Sequence, residues 1–219
     1  RIAQLMWPMF ELGRIRHASV SWHTETYANR TGQQTWKRRS VDGGGALNDM
    51  ACHCFYYLEW LLGPIHTVWA APQRDDEFDT VVVLSIELDD GAHVSVTVGT
   101  ADFLGDGHSV RVYGEQGTLA LANPTTDIAR GFHLSMGTRA TGQLTAIPVE
   151  PLPSQGNDGR IAAVGQLVTR FATWALDGQS SHPSFEDGYR VQTLVDAAWR
   201  SRRDDAAPLT RARLKDGTW

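Results

Sequence analysis

Asp49 and His53 place a carboxylate and an imidazole four residues apart, in a segment led by Gly43-Gly44-Gly45 and running through Trp60 to Gly63. On an α-helix that spacing puts both side chains on one face. A carboxylate beside a histidine stabilises the protonated ring and fixes which nitrogen carries the proton, which is what a proton-transfer site needs. The glycines predict a sharp turn and a close approach to a ligand just ahead of the helix. Leu47, Met50, Cys54, Leu58 and Leu61 form an apolar stripe suited to a core. Asp49, His53, Tyr56 and Trp60 form a second stripe that reads as the wall of a pocket. The plainer alternative is a pair on a solvent face, worth a few tenths of a kcal/mol. A third is a metal site built from Asp49, Cys52, His53 and Cys54, but a helix splays the two cysteines apart and no second ligand cluster occurs elsewhere. No metal is expected.

Further candidates are single residues. His23, at the end of a strand-like run, can reach the same pocket; a lone histidine is more often a satisfied surface residue. Trp36, among polar residues ahead of the glycines, offers a ring to a sugar or a nicotinamide, or else anchors a core. Ser184-Phe185-Glu186-Asp187 has the pattern of a helix N-cap with acidic residues in the first turn, a structural feature. No G-x-G-x-x-G, no Walker A and no G-x-S-x-G occurs.

The elements that would hold these residues follow from periodicity. Arg1 to Leu12 reads as a helix stopped by Gly13, and Ile15 to Thr24 as a strand with Ala18, Val20 and Trp22 on one face. Thr26 to Asp42 reads as a long polar excursion. The helix to Leu62 ends at Gly63-Pro64, and His66 to Ala71 is a strand. Thr80 to Leu88 and His93 to Thr100 flank Asp89-Asp90-Gly91 as a hairpin, and Val110 to Tyr113 with Gly117 to Leu121 form another. Weaker strand signals lie near Phe132 and from Leu144 to Val149, and two helices, Ile161 to Leu176 and Phe185 to Arg202, close the chain. Strands grouped between helices predict one α+β domain with a mostly antiparallel sheet.

The 219 residues are 42% hydrophobic and 21% charged, with a net charge of -5, as in an ordinary soluble globular protein. That balance argues against a nucleic-acid surface, and the short basic runs Lys37-Arg38-Arg39 and Arg200 to Arg203 read as solvated. No apolar run approaches the ~20 residues that span a bilayer, so no membrane partner is expected. The cysteine pair is unsuited to a disulfide, which fits a reducing cytoplasm. The chain begins with Arg1, so a piece of something longer is expected.

Gly43 to Leu47 with Asp49 and His53, ending in Trp60-Leu61-Leu62-Gly63, resembles the C-terminal domain of the glucose–fructose oxidoreductase, inositol dehydrogenase and MocA family. Glu11 to Ile15 resembles its helix-to-strand entry, Tyr113-Gly114-Glu115-Gln116-Gly117-Thr118 its "YG-x-x-G-T" hairpin, and Pro183 to Gly188 with Ala197 and Ser201 its closing helix. The sequence departs from the family at Ala51, commonly glycine, and at Tyr56, commonly acidic.

The resemblance implies an open, mostly antiparallel sheet covered by helices on one face. It makes residues 1–219 a substrate-binding and dimerisation domain, with a Rossmann domain and the catalytic lysine of a Glu-Lys-Pro motif expected upstream of Arg1. NAD or NADP would be bound mainly by that absent domain. The implied activity is oxidation or reduction of a sugar, polyol or related CH-OH substrate in a homo-oligomer, dimer or tetramer, formed through the sheet face. Hydride transfer at a carbinol needs a base for the hydroxyl proton; His53 is expected to take that role and Asp49 to orient the ring or bind a neighbouring hydroxyl. His23, Trp36 and Tyr56 are expected substrate contacts. The rival readings are a non-catalytic sugar-binding or dimerisation module and a metal-dependent hydrolase or lyase.

Overall fold

A computed structural model describes residues 10–72, 78–127, 129–149, 158–204 and 207–211. Strand β1 (Ile15–His23) lies near the middle of a nine-stranded open sheet. From its end the chain passes through a short helix, α1 (Tyr27–Thr31), and two 3-10 turns, Trp36–Arg38 and Ser40–Asp42. The stretch expected as a long excursion is thus a string of tight helical turns. A π turn (Ala46–Ala51) then leads directly into α2 (Cys52–Leu62). Phe10–Leu12 is a 3-10 turn, and the rest of the helix expected at the start lies outside the described residues.

Two meanders fill the sheet on either side of β1. Strands β2 (Ile65–Ala70), β3 (Val81–Leu88) and β4 (His93–Gly99) form one, and β4 returns to lie parallel to β1. Strands β5 (Gly107–Gly114), β6 (Gly117–Asn123), β7 (His133–Thr138) and β8 (Thr145–Ile147) form the other. Helices α3 (Arg160–Asp177) and α4 (Phe185–Arg203) follow, and β9 (Leu209–Thr210) adds the last edge. The order is β8-β7-β6-β5-β1-β4-β3-β2-β9, with β1–β4 the single parallel pair among the described strands. This is the α+β, mostly antiparallel architecture that the grouping of strands predicts.

Alternation decides which face is covered. Ala18, Val20 and Trp22 of β1, Val82, Leu84 and Ile86 of β3, and Val94, Val96 and Val98 of β4 are all buried. They pack with Leu47, Phe55 and Leu58 of the π turn and α2, and with Leu194, Val195 and Ala198 of α4. The apolar stripe Leu47, Met50, Cys54, Leu58, Leu61 is buried throughout, as its spacing requires. On the opposite face β1, β4 and β5 present Ser19, Ser95 and Arg111 in register, beside the part-exposed Val81 and Val83 of β3. Helix α3 buries no residue in this chain; Ile161, Val164, Val168 and Phe171, at helical spacing, all stay exposed.

One buried ion pair ties the last helix to the start of the π turn. Arg202 Nη1 lies 2.9 Å from Asp79 Oδ1, both side chains almost fully enclosed. The other carboxylate oxygen of Asp79 accepts from the Leu47 amide at 2.8 Å, and the Asp79 carbonyl accepts from the Ala46 amide at 2.6 Å. Arg202 also donates to the Val81 carbonyl at 3.1 Å. At the head of α4, Ser184 and Asp187 form a reciprocal capping box. Burial opposes charge on Asp187, but hydrogen bonds from His182 and from the Ser184 amide and hydroxyl prevail and hold its carboxyl at about 2.

Removing one partner of a buried pair strands the other charge, at a cost of about 3–5 kcal/mol. Asp79→Ala and Arg202→Met should each lower stability by about that amount, and the double variant should lose much less than the sum. Urea denaturation of the two singles and the double measures it; additive losses would show that the two groups do not act as a pair.

Candidate active site

Gly44 and Gly45 set the position of every group in the site. A Cβ on Gly44 would stand 2.1 Å from the Trp36 carbonyl oxygen and 2.7 Å from Lys37 Cα. Gly45, at φ +88°, has no room either, because a Cβ there would meet the Asp79 side chain at 2.5 Å. The close approach expected of the glycines is therefore made to the chain's own Trp36–Lys37 turn and to Asp79. That turn is fixed from its other side as well. Arg38 Nε donates to Asn29 Oδ1 at 3.0 Å and its guanidinium covers the Phe78 ring at 4.6 Å, while Asn29 donates to the Thr100 carbonyl at 2.7 Å. The basic run read as solvated is instead tied into the loop framework.

Clamped in this way, Lys37 points at the π turn. Its Nζ lies 3.4 Å from Asp49 Oδ1 and 5.4 Å from the centre of the Trp36 ring, which is 54% exposed. Asp49 sits within the π turn that leads directly into the helix carrying His53. Its carboxylate pairs with Lys37, and its charge also acts on the His53 ring four residues on. His53 faces outward at the start of α2, with the Trp22 indole beneath it at 6.4 Å between ring centres. Partial burial lowers its pKa from the ordinary 6.5, Asp49 raises it, and Lys37 lowers it. The result is an imidazole that is neutral at neutral pH, exposed on one side, and flanked by a cation and an anion.

Asn48 secures the turn from behind. It accepts from the Trp199 indole at 2.9 Å and donates to the Gly44 carbonyl at 3.0 Å. Beneath Trp22 the His108 ring is stacked at 4.5 Å and 9°, and its Nε2 is 3.1 Å from the Tyr57 hydroxyl. Burial, together with the charge of His53, pushes His108 down to about 4. Burial and the neighbouring Cys54 thiol raise the Tyr57 hydroxyl well above its usual value, and burial pushes the Cys54 thiol up to about 12, which makes that thiol inert.

The structure thus gathers Asp49, His53 and Trp36 on one rim and adds Lys37. It does not bring His23 or Tyr56 there. His23 alternates with Trp22 and so lies on the other face of β1, where its Nδ1 is 2.6 Å from Asp102 Oδ2. Tyr56 turns toward α4, where burial and the Asp187 carboxylate raise its pKa and Arg170 and Arg190 lower it. Among the described residues, no group of three or more His, Cys, Asp or Glu side chains is placed to hold a metal. No described helix is long and apolar enough to cross a membrane. Sequence reasoning missed Lys37, Tyr57 and His108. Tyr57 had a signal, standing one helical turn after His53; His108 had none beyond strand alternation.

Residues 10–120 match the family model of the GFO/IDH/MocA C-terminal domain. The chain belongs to that family. An uncharacterized oxidoreductase of Synechocystis sp. is 27% identical over 212 residues, covering 88% of this chain and 57% of its own length. The fold is similar to that of levoglucosan dehydrogenase in complex with NADH, with TM-score 0.76 and 19% identity over 95% of this chain. It is similar too to aldose-aldose oxidoreductase from Caulobacter crescentus complexed with glycerol, with TM-score 0.71 and 17% identity over 95% of this chain. The chain spans 62% of the former, 58% of the latter and 57% of the Synechocystis relative, so all three are considerably longer.

Opposite charges on either side of His53 give opposite expectations. Lys37→Met should raise the His53 pKa and Asp49→Asn should lower it. NMR titration of the ring reads both; shifts of the same sign would show that neither charge acts directly on the imidazole.

Proposed function

We propose that this chain is the substrate domain of an NAD(P)-dependent oxidoreductase acting on a CH-OH group of a sugar or polyol. The observation that carries the reading is the convergence of Lys37, Asp49 and a neutral His53 beside the exposed Trp36 on a single rim. Support comes from the names of the similar folds, a levoglucosan dehydrogenase bound to NADH and an aldose-aldose oxidoreductase. The family model and the Synechocystis oxidoreductase agree with it.

In this reading the nicotinamide, held mainly by a Rossmann domain outside this chain, supplies the hydride acceptor or donor. His53 takes the hydroxyl proton of the substrate as the C–H bond breaks, which requires its neutral form. Asp49 and Lys37 bind hydroxyls next to the reacting carbon, the carboxylate accepting and the ammonium donating. Trp36 offers an apolar ring face to the C–H face of a sugar. The uncovered apolar residues of α3 are the kind of surface that a further domain or subunit covers. The open face of the sheet, rich in small side chains, is the proposed contact between copies.

Because the His53 pKa is lowered, its base form persists below pH 6.5, and oxidation should fall only on the acid side of that value. In the full-length enzyme His53→Ala should lower kcat by about 100-fold or more while leaving cofactor affinity, measured by calorimetry, nearly unchanged. Unchanged turnover would overturn the role of His53. Failure of the full-length protein to bind a nicotinamide cofactor would favour a non-catalytic sugar-binding module.

A further inference from the structure

The rim reading leaves unused the layer immediately beneath His53. Trp22 and His108 are register partners on β1 and β5, and their rings lie parallel at 4.5 Å with 9° between planes. Phe132 meets His108 edge-on at 6.0 Å, and the Tyr57 hydroxyl stands 3.1 Å from its Nε2. The imidazole is therefore held by a strand neighbour, a helix residue and a loop aromatic at once. Two of these contacts lead to His53. Trp22 lies against the His53 ring at 6.4 Å, and Tyr57 stands four residues beyond His53 on α2.

We infer that His108 is a positioning residue, which holds Trp22 and Tyr57 in the one arrangement that aims the His53 ring at its substrate. The inference rests on the reading of His53 as the proton-transfer group. A flat ring alone would satisfy the stack on Trp22, and phenylalanine would supply one. What phenylalanine lacks is the nitrogen that meets the Tyr57 hydroxyl, which would leave that buried hydroxyl only the Cys54 thiol, a weak partner, unless it moves. If Tyr57 moves, the turn of α2 that carries His53 moves with it. An error of about 1 Å at a reacting group costs up to about 100-fold in rate. His108 also meets a condition that a lysine or arginine here would violate. It stays uncharged at neutral pH, so no second cation beneath His53 weakens the base.

The test is made on the full-length enzyme with four variants. His108→Phe keeps a ring on Trp22 and removes the bond to Tyr57, and Tyr57→Phe removes the same bond from the other side. Each should lower kcat by about tenfold to 100-fold while KM changes by less than about twofold. The double variant should be no worse than the weaker single, because both remove one interaction. His108→Gln, which keeps a polar group toward Tyr57, should recover most of kcat relative to His108→Phe. Wild-type kcat in the singles, or a fall in melting temperature with kcat unchanged, would show a merely structural residue and overturn the inference. Additive losses in the double, or no recovery with glutamine, would do the same. If His108→Phe does not fold, the smaller Tyr57→Phe change decides alone by its kcat and KM. His53→Ala runs beside them: if it keeps full turnover, the reading of His53 fails, and if it is inactive while His108→Phe is not, only the present inference fails.

Discussion

The buried Asp79–Arg202 pair is the constraint on which the site depends. Two charges removed from water gain little net stability even when well paired, and apolar replacements of equal volume often do as well. What the pair supplies is placement. Asp79 has three jobs at once: it receives the guanidinium of α4, the amide of Leu47 and, through its own carbonyl, the amide of Ala46. The first amides of a helical segment have no partners within it, and here Asp79, ahead of β3, satisfies two of them, one through its carbonyl and one through its carboxylate. A carboxylate at that end also suits the helix dipole. The first helical turn of the site, the closing helix and the sheet are thereby fixed relative to one another by one side chain.

From that anchor the π turn follows. Only glycine fits at position 45, because Asp79 fills the space where a Cβ would be, and only glycine fits at 44, because the Trp36–Lys37 backbone does. The glycines work as contact surfaces as much as hinges. They press a cation-bearing turn against an anion-bearing π turn, where Asp49 meets Lys37 at 3.4 Å. Lys37 is 55% exposed at its side chain, so the ion pair itself adds little stability. Its importance is electrostatic and local: it opposes the pull of Asp49 on the His53 proton.

The sequence made the scaffold readable because apolar periodicity encodes burial. The stripe from Leu47 to Leu61 and the alternation in β1, β3 and β4 gave helix, strands and core face directly. The Ser184 cap was readable for the same reason, since capping is chemistry between near neighbours. The site was readable only in part. Asp49 and His53 stand out by spacing and Trp36 by its isolation among polar residues, but no local pattern links Lys37 to Asp49 twelve residues on, or Trp22 to His108 across two strands. The π turn has no sequence signature, and neither has the lysine that joins Asp49 beside His53. Helical spacing points Tyr56 to the pocket wall and a strand end points His23 there, whereas the structure turns Tyr56 toward α4 and pairs His23 with Asp102.

Two histidines of this fold show how burial and charged neighbours together separate identical side chains. His108, enclosed by Trp22, Tyr57 and Phe132, is pushed down to about 4 and is a neutral ring at neutral pH. It holds its place because it does not take up a proton. His53, on the rim, is lowered by less complete enclosure, and the nearby Asp49 carboxylate restores part of its proton affinity. A base must give up its proton between turnovers yet bind one during the reaction, so its pKa has to stay near the working pH. Deeper burial would have spoiled that balance, and full exposure would have surrendered the fixed geometry that makes the base effective. In the proposed role of His53, the rim position, with a neutral histidine beneath and opposite charges beside, serves both conditions: partial burial lowers the pKa, and Asp49 opposes that shift.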